Sequence, residues 1–141
     1  VYFSELFGEP FIRDRTLPGI NALLNYGYTI LRAATARALV SSGLLPAIGI
    51  FHHNRSNAFP LADDIMEPYR PYVDEIVYTL SMQGKMELTK DVKADLIQVL
   101  YADTQFRKVI RPLSVGLTFT SSSLSKCFAK EQTRLSLPLM K

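Results

Sequence analysis

The sequence predicts an all-α, bundle-like domain. Apolar residues recur at helical spacing along most of the 141 residues, and turn-forming residues cut the chain into about five helical stretches. A composition of 48% hydrophobic and 21% charged residues is that of one globular domain with its own core. There is no internal repeat and no low-complexity run.

Residues 1–7 read as the end of a helix stopped at Gly8, followed by a loop that carries the basic run Arg13-Asp14-Arg15 up to Pro18. Pro18 suits a first helical turn. From it Ile20, Leu23, Leu24, Ile30, Leu31, Ala34 and Ala38 form an apolar stripe that stops at Ser42-Gly43. Pro46 to Asn57, with Gly49 and a cluster of Asn, Ser, Arg and His, reads as a loop that delivers polar side chains. A second helix is expected from Pro60 past Tyr78, kinked or broken by Pro68 and Pro71. Thr89 is the expected N-cap of a third helix through Tyr101, with Val92, Leu96, Val99 and Leu100 as its buried stripe. A further helical stretch covers about Ser121 to Lys130. Before it, residues 113–120 gather β-branched and aromatic side chains and read as a short strand or as a Thr/Ser-rich link.

Several classes are excluded or disfavoured by composition. The longest apolar run, Ile30 to Leu45, is interrupted by Arg32, Arg37, Ser41 and Ser42, well short of the roughly 20 clean residues a membrane span needs. The single Cys127 rules out an internal disulfide and a multi-cysteine zinc site, which fits a cytoplasmic location, and its expected role is that of a buried small hydrophobe. The opening Val1-Tyr2-Phe3-Ser4-Glu5 has neither an initiator Met nor a signal pattern, and reads as the middle of a helix in a longer protein. Residues 1–78 carry 6 basic and 8 acidic groups and residues 79–141 carry 10 and 5, so the halves are −2 and +5. A basic surface beside an acidic cluster suits a polyanion brought to a cation site, although an ordinary protein surface explains the same excess.

The chemistry-bearing stretch is Gly49 to Pro71. It holds both histidines, His52 and His53, and the acids Asp63, Asp64 and Glu67. On a helix the three carboxylates share one side, an arrangement that costs about 0.2–0.5 kcal/mol per exposed like-charge pair unless a hard divalent cation binds there. The plainer account is equally physical: acids in a first helical turn complement the macrodipole, and loop histidines are often only solvated. Adjacent histidines lack the i,i+4 spacing of a zinc helix motif, so zinc is disfavoured. On the first long helix Asn21, Asn25, Tyr28 and Arg32 share a face that suits phosphate contact or mere solvation. The same two readings apply to Arg107, Lys108 and Arg111.

Taken together, Leu6-Phe7-Gly8, Leu17-Pro18-Gly19-Ile20-Asn21 through Tyr28, Gly49-Ile50-Phe51-His52, Leu61 through Pro71, Pro112 through Gly116 and Ser123 through Phe128 resemble the CRISPR adaptation integrases, the "Cas one" endonucleases, in particular their type II members. The resemblance spans essentially the whole chain. It implies a single helical catalytic domain over residues 1–141, the C-terminal part of a protein whose smaller β-rich N-terminal domain lies elsewhere. It further implies a Mg²⁺ or Mn²⁺ site with His52 and Glu67 as ligands and Asp64 as assisting acid; His53 is the alternative ligand. The family's first ligand, a Glu, falls upstream of Tyr2. Glu5 and Glu9 come after its position, so the metal site of this stretch is expected to be incomplete and its nuclease activity weak or missing. Also implied are DNA as substrate, a homodimer, and a small CRISPR adaptation partner protein. The expected DNA or metal-neighbouring groups are Arg13, Arg15, Asn25, Tyr28, Arg32 and Arg70.

Overall fold

The structure, a computed structural model, describes residues 19–44, 60–128 and 135–139. The expected helix end at residues 1–7, the Arg13-Asp14-Arg15 loop and the loop bearing His52 and His53 lie outside these.

The central element is α1 (Ile20–Ser41), which follows Gly19 in a left-handed conformation (φ 78°). Its stop is a Schellman motif: Gly43 adopts φ 80°, its N–H donates to the Val40 carbonyl at 3.0 Å, and that of Leu44 to Leu39 at 2.9 Å. Next comes α2 (Pro60–Met66), a 3₁₀ turn (Glu67–Tyr69) and α3 (Arg70–Met82). Pro68 and Pro71 thus divide the expected second helix in two. Neither proline has an N–H to donate, and tightening the backbone to 3₁₀ accommodates both. The end of α3 repeats the Schellman geometry at Gly84 and Lys85.

The fourth helix, α4 (Lys90–Ile97), is capped as expected: the Thr89 hydroxyl accepts the Val92 N–H at 3.2 Å. It tightens into a 3₁₀ turn (Gln98–Tyr101) and leads to a hairpin of β1 (Asp103–Gln105) and β2 (Ile110–Pro112) that pairs Thr104 with Arg111. The last helix, α5 (Leu113–Phe128), occupies the segment whose residues also suited a strand. Packing explains this: Leu113 and Leu117 are fully buried in the main core, and tertiary context overrides a modest β preference. Gly116 is required there, because a Cβ would stand 2.8 Å from the Thr104 hydroxyl and 3.0 Å from the Phe106 ring. The strands sit just before α5. Cys127, expected buried, is half-buried near its end.

The other helices pack around α1, and the hairpin packs on α5. Leu23, Leu24 and Leu31 meet Met66, Tyr69, Val73, Val77, Leu96 and Leu117 in the main core, and Leu39 meets Leu61, Ile65 and Leu124 in a smaller one. Helices α1 and α3 come close at Gly27, where a Cβ would fall 2.5 Å from a Val73 methyl. A closed set of neutral hydrogen bonds joins the 3₁₀ turn, α5 and residues 135–139. Thr120 Oγ1 gives its proton to the Ser136 carbonyl at 2.5 Å, so the fully buried Tyr69 hydroxyl must be the donor in its 2.6 Å contact with Thr120. Ser136 N–H donates to Ser123 Oγ, which donates to the Thr120 carbonyl. Burial pushes the Tyr69 phenol well above its ordinary pKa.

Candidate nucleic-acid interface

One face of α1 contributes Asn25, Tyr28, Thr29 and Arg32 to a cleft of about 280 Å³; α2 adds Asp63 and Met66, and Arg70 closes it from the first turn of α3. Steps of three and four along α1 bring its residues to one side, and the close approach at Gly27 sets α3 beside them.

Two buried carboxylates fix the donors of this cleft. Asp63, only 7% exposed, accepts Arg32 Nε at 2.7 Å and Nη2 at 2.8 Å, a two-point pairing that holds the guanidinium plane. Asp74, 3% exposed and one turn beyond Arg70 on α3, accepts a hydrogen bond from the Tyr28 hydroxyl. The Arg70 guanidinium stacks over the Tyr28 ring, 4.9 Å from its centre. One Arg70 terminal nitrogen stands 3.4 Å from Glu67 Oε1, and its Nε is buried without a hydrogen-bond partner among the described residues. The cleft therefore presents an amide and two guanidinium groups, which hydrogen-bond phosphate oxygens without reading a base, beside a phenol whose hydroxyl is already given to Asp74.

The structure brings together Asn25, Tyr28, Arg32 and Arg70 of the residues singled out in the sequence. Asn21 belongs to the same helix face but is buried, so the stripe is not a uniformly solvated surface. The three acids that a continuous helix would crowd on one side are divided. Asp63 is engaged by Arg32, Asp64 is half-buried, and Glu67 is exposed where the backbone changes from α to 3₁₀. Among the described residues no three His, Cys, Asp or Glu side chains gather as a metal-ligand group; His52, His53, Arg13 and Arg15 lie outside those residues. Arg107, Lys108 and Arg111 sit on the hairpin, exposed and apart from the cleft lining. Sequence reasoning missed Asp74. The available signal was an acid one turn after Arg70 in a helix whose neighbouring positions, Tyr72, Val73 and Val77, are apolar enough to be buried.

Residues 13–114 match the model of a family described as CRISPR associated protein Cas1. The chain belongs to the Cas1 family. It is 48% identical over 103 residues to a CRISPR-associated endonuclease Cas1 of Neisseria meningitidis serogroup C (strain 8013), which covers 72% of this chain and 34% of that one. A second relative, CRISPR-associated endonuclease Cas1 2 of Pyrobaculum aerophilum, is 32% identical over 127 residues, 88% of this chain and 42% of that protein. This chain thus spans about a third to two fifths of the length of these curated relatives. Its fold is shared with a casposase bound to integration product, with a TM-score of 0.77 over 95% of this chain and 47% of that one at 23% identity. The matched Cas1 segment contains every cleft residue and Asp74, whereas α5 lies almost wholly beyond its end. No described helix is long and apolar enough to cross a membrane.

Proposed function

We propose that this Cas1-family chain is the DNA-handling helical part of a metal-dependent endonuclease and integrase that inserts short DNA pieces into a CRISPR repeat array. The observation that carries the reading is the single cleft in which Asn25, Tyr28, Arg32 and Arg70 converge, with the exposed Glu67 carboxylate held at Arg70. Membership of a family whose relatives are named endonucleases, and a fold also found in a casposase bound to integration product, support it.

The reaction is a transesterification: a 3′-hydroxyl of the incoming DNA forms a new P–O bond at a target phosphodiester, and the displaced 3′-oxygen leaves and takes up a proton. Arg32 and Arg70 bind the phosphates on either side and hold the strand in line, with the Tyr28 ring as the platform under Arg70, which lowers the entropic part of the barrier. His52 and Glu67, assisted by Asp64, are the residues that would hold the cation. Imidazole and hard carboxylate oxygens suit Mn²⁺ or Mg²⁺, and Glu67 is exposed while Asp63 is already engaged by Arg32. When bound, the cation polarises the phosphate and stabilises charge on the attacking and leaving oxygens. With the third ligand a Glu upstream of Tyr2, these 141 residues alone bind the metal weakly and show little activity. The working assembly is a homodimer joined by a small adaptation partner.

Mn²⁺ titration calorimetry on this chain and on a form extended upstream through that Glu tests the reading, each with and without His52→Ala and Glu67→Ala. Tight binding in the extended form, lost in both variants, together with covalently joined products from a recessed-end DNA and a supercoiled target, is the expected result. Metal-dependent cleavage without joined products would make the protein a plain nuclease. No metal binding in either form would leave a non-catalytic DNA-binding domain.

A further inference from the structure

We infer that Asp74 is a positioning residue for the cleft, acting on Arg70 through the Tyr28 ring. Arg70 and Asp74 are one turn apart on α3 and therefore project to the same side. Both grip one side chain of α1: Asp74 accepts the proton of the Tyr28 hydroxyl, and the Arg70 guanidinium covers the face of the Tyr28 ring at 4.9 Å. The hydrogen bond fixes the ring's rotation and tilt.

What this arrangement secures is the orientation of the donors Arg70 still has to offer. Its side chain is 39% exposed, its Nη2 contact to Glu67 is long at 3.4 Å, and the buried Nε has no hydrogen-bond partner among the described residues. Left to itself, an arginine at the start of a helix samples many rotamers, and ordering it on binding costs affinity. Stacked on a ring that is itself tied down, it meets a phosphate already oriented. Asp63 does the same for Arg32 by direct contact. Asp74 works at one remove, through a tyrosine 46 residues away in sequence. Its tie to DNA rests on the function proposed above; its hold on Arg70 does not.

Two measurements on the whole chain separate these. In NMR spectra the Arg70 Nε–H resonance of the unaltered protein should be displaced by the Tyr28 ring current, given the 4.9 Å stacking distance. Asp74→Ala and Tyr28→Phe should both remove most of that displacement and broaden the signal, and Asp74→Asn, which still offers an oxygen to the hydroxyl, should restore it. If Arg70 is undisturbed in Tyr28→Phe, the variant least able to harm the fold, the inference is overturned whether or not Asp74→Ala folds. For a duplex with a single-stranded 3′ overhang, Asp74→Ala should weaken binding about tenfold, as expected for a hydrogen bond to a charged group. The double variant with Tyr28→Phe should be no weaker than the worse single variant, and additive losses would overturn action through Tyr28. A protein that shows the NMR changes yet binds no DNA would sink the proposed function and leave the positioning role standing.

Discussion

Tyr28 and Tyr69 are both tyrosines whose hydroxyls donate to a partner on another helix, yet their surroundings differ in kind. Tyr69 is fully buried and feeds a closed ring of neutral groups, Thr120, Ser136 and Ser123. Tyr28 lines an open cleft and gives its proton to a buried carboxylate while a guanidinium covers its face. Where a polar group only has to be satisfied, neutral hydroxyls suffice. In the cleft the guanidinium groups stand beside buried acids that steady their like charges, so its polar groups are charged where those around Tyr69 are neutral.

Four substitutions sharpen this contrast, and thermal or urea unfolding reads each of them. Arg32→Ala strips Asp63 of its guanidinium in a nearly solvent-free place, and the expected loss is about 3 kcal/mol, the low end for breaking a buried pair because Arg32 itself is part exposed. Gly27→Ala drives a methyl into Val73 where α1 and α3 meet, with an expected loss of about 2 kcal/mol and a parallel fall in DNA affinity. A stability unchanged by Gly27→Ala would mean that the two helices are not held as closely as described.

On the neutral side, Tyr69→Phe should cost only about 1 kcal/mol at neutral pH. Its pH dependence is more telling. Because burial raises the Tyr69 pKa in the folded state, the unfolded chain releases this proton first. The contribution is fully present below about pH 10 and is lost above it, at up to about 1.4 kcal/mol per pH unit. Tyr69→Phe should flatten that part of the alkaline unfolding curve; an identical alkaline slope in both proteins would contradict the burial of this phenol. Glu67→Gln has the smallest expected effect, within about 0.5 kcal/mol, since its contact to Arg70 is long and solvent-exposed. A large destabilisation there would show Glu67 to be structural and weaken its assignment as a ligand.

Much of the architecture is legible along the chain because it is written in local signals. The stripe from Ile20 to Ala38, the glycine stop at Gly43, the break at Pro68 and Pro71 and the Thr89 cap each depend on residues within a turn or two. The start of α5 is not legible this way: Val115, Thr118 and Phe119 favour a strand locally, and only burial of Leu113 and Leu117 against distant elements makes the segment helical. The site divides along the same line. Asn25, Tyr28 and Arg32 share a face by spacing alone, and Arg70 lies one turn from Glu67. The partners that give them their geometry, Asp63 for Arg32 and Asp74 for Tyr28, are 31 and 46 residues away in sequence. A helical reading of residues 60–70 groups Asp63 with Glu67, whereas a long-range ion pair engages Asp63 with Arg32 and leaves Glu67 exposed.

Residues 135–139 do more than complete a polar ring. The Leu139 N–H reaches the Gln105 carbonyl at 2.7 Å, so one peptide group of β1 is met by the chain's own backbone. A two-stranded hairpin with apolar Ile110 exposed beside it would otherwise offer unpaired peptide groups to any extended segment it met. That bond removes one of the outward peptide groups that an intermolecular strand would pair with.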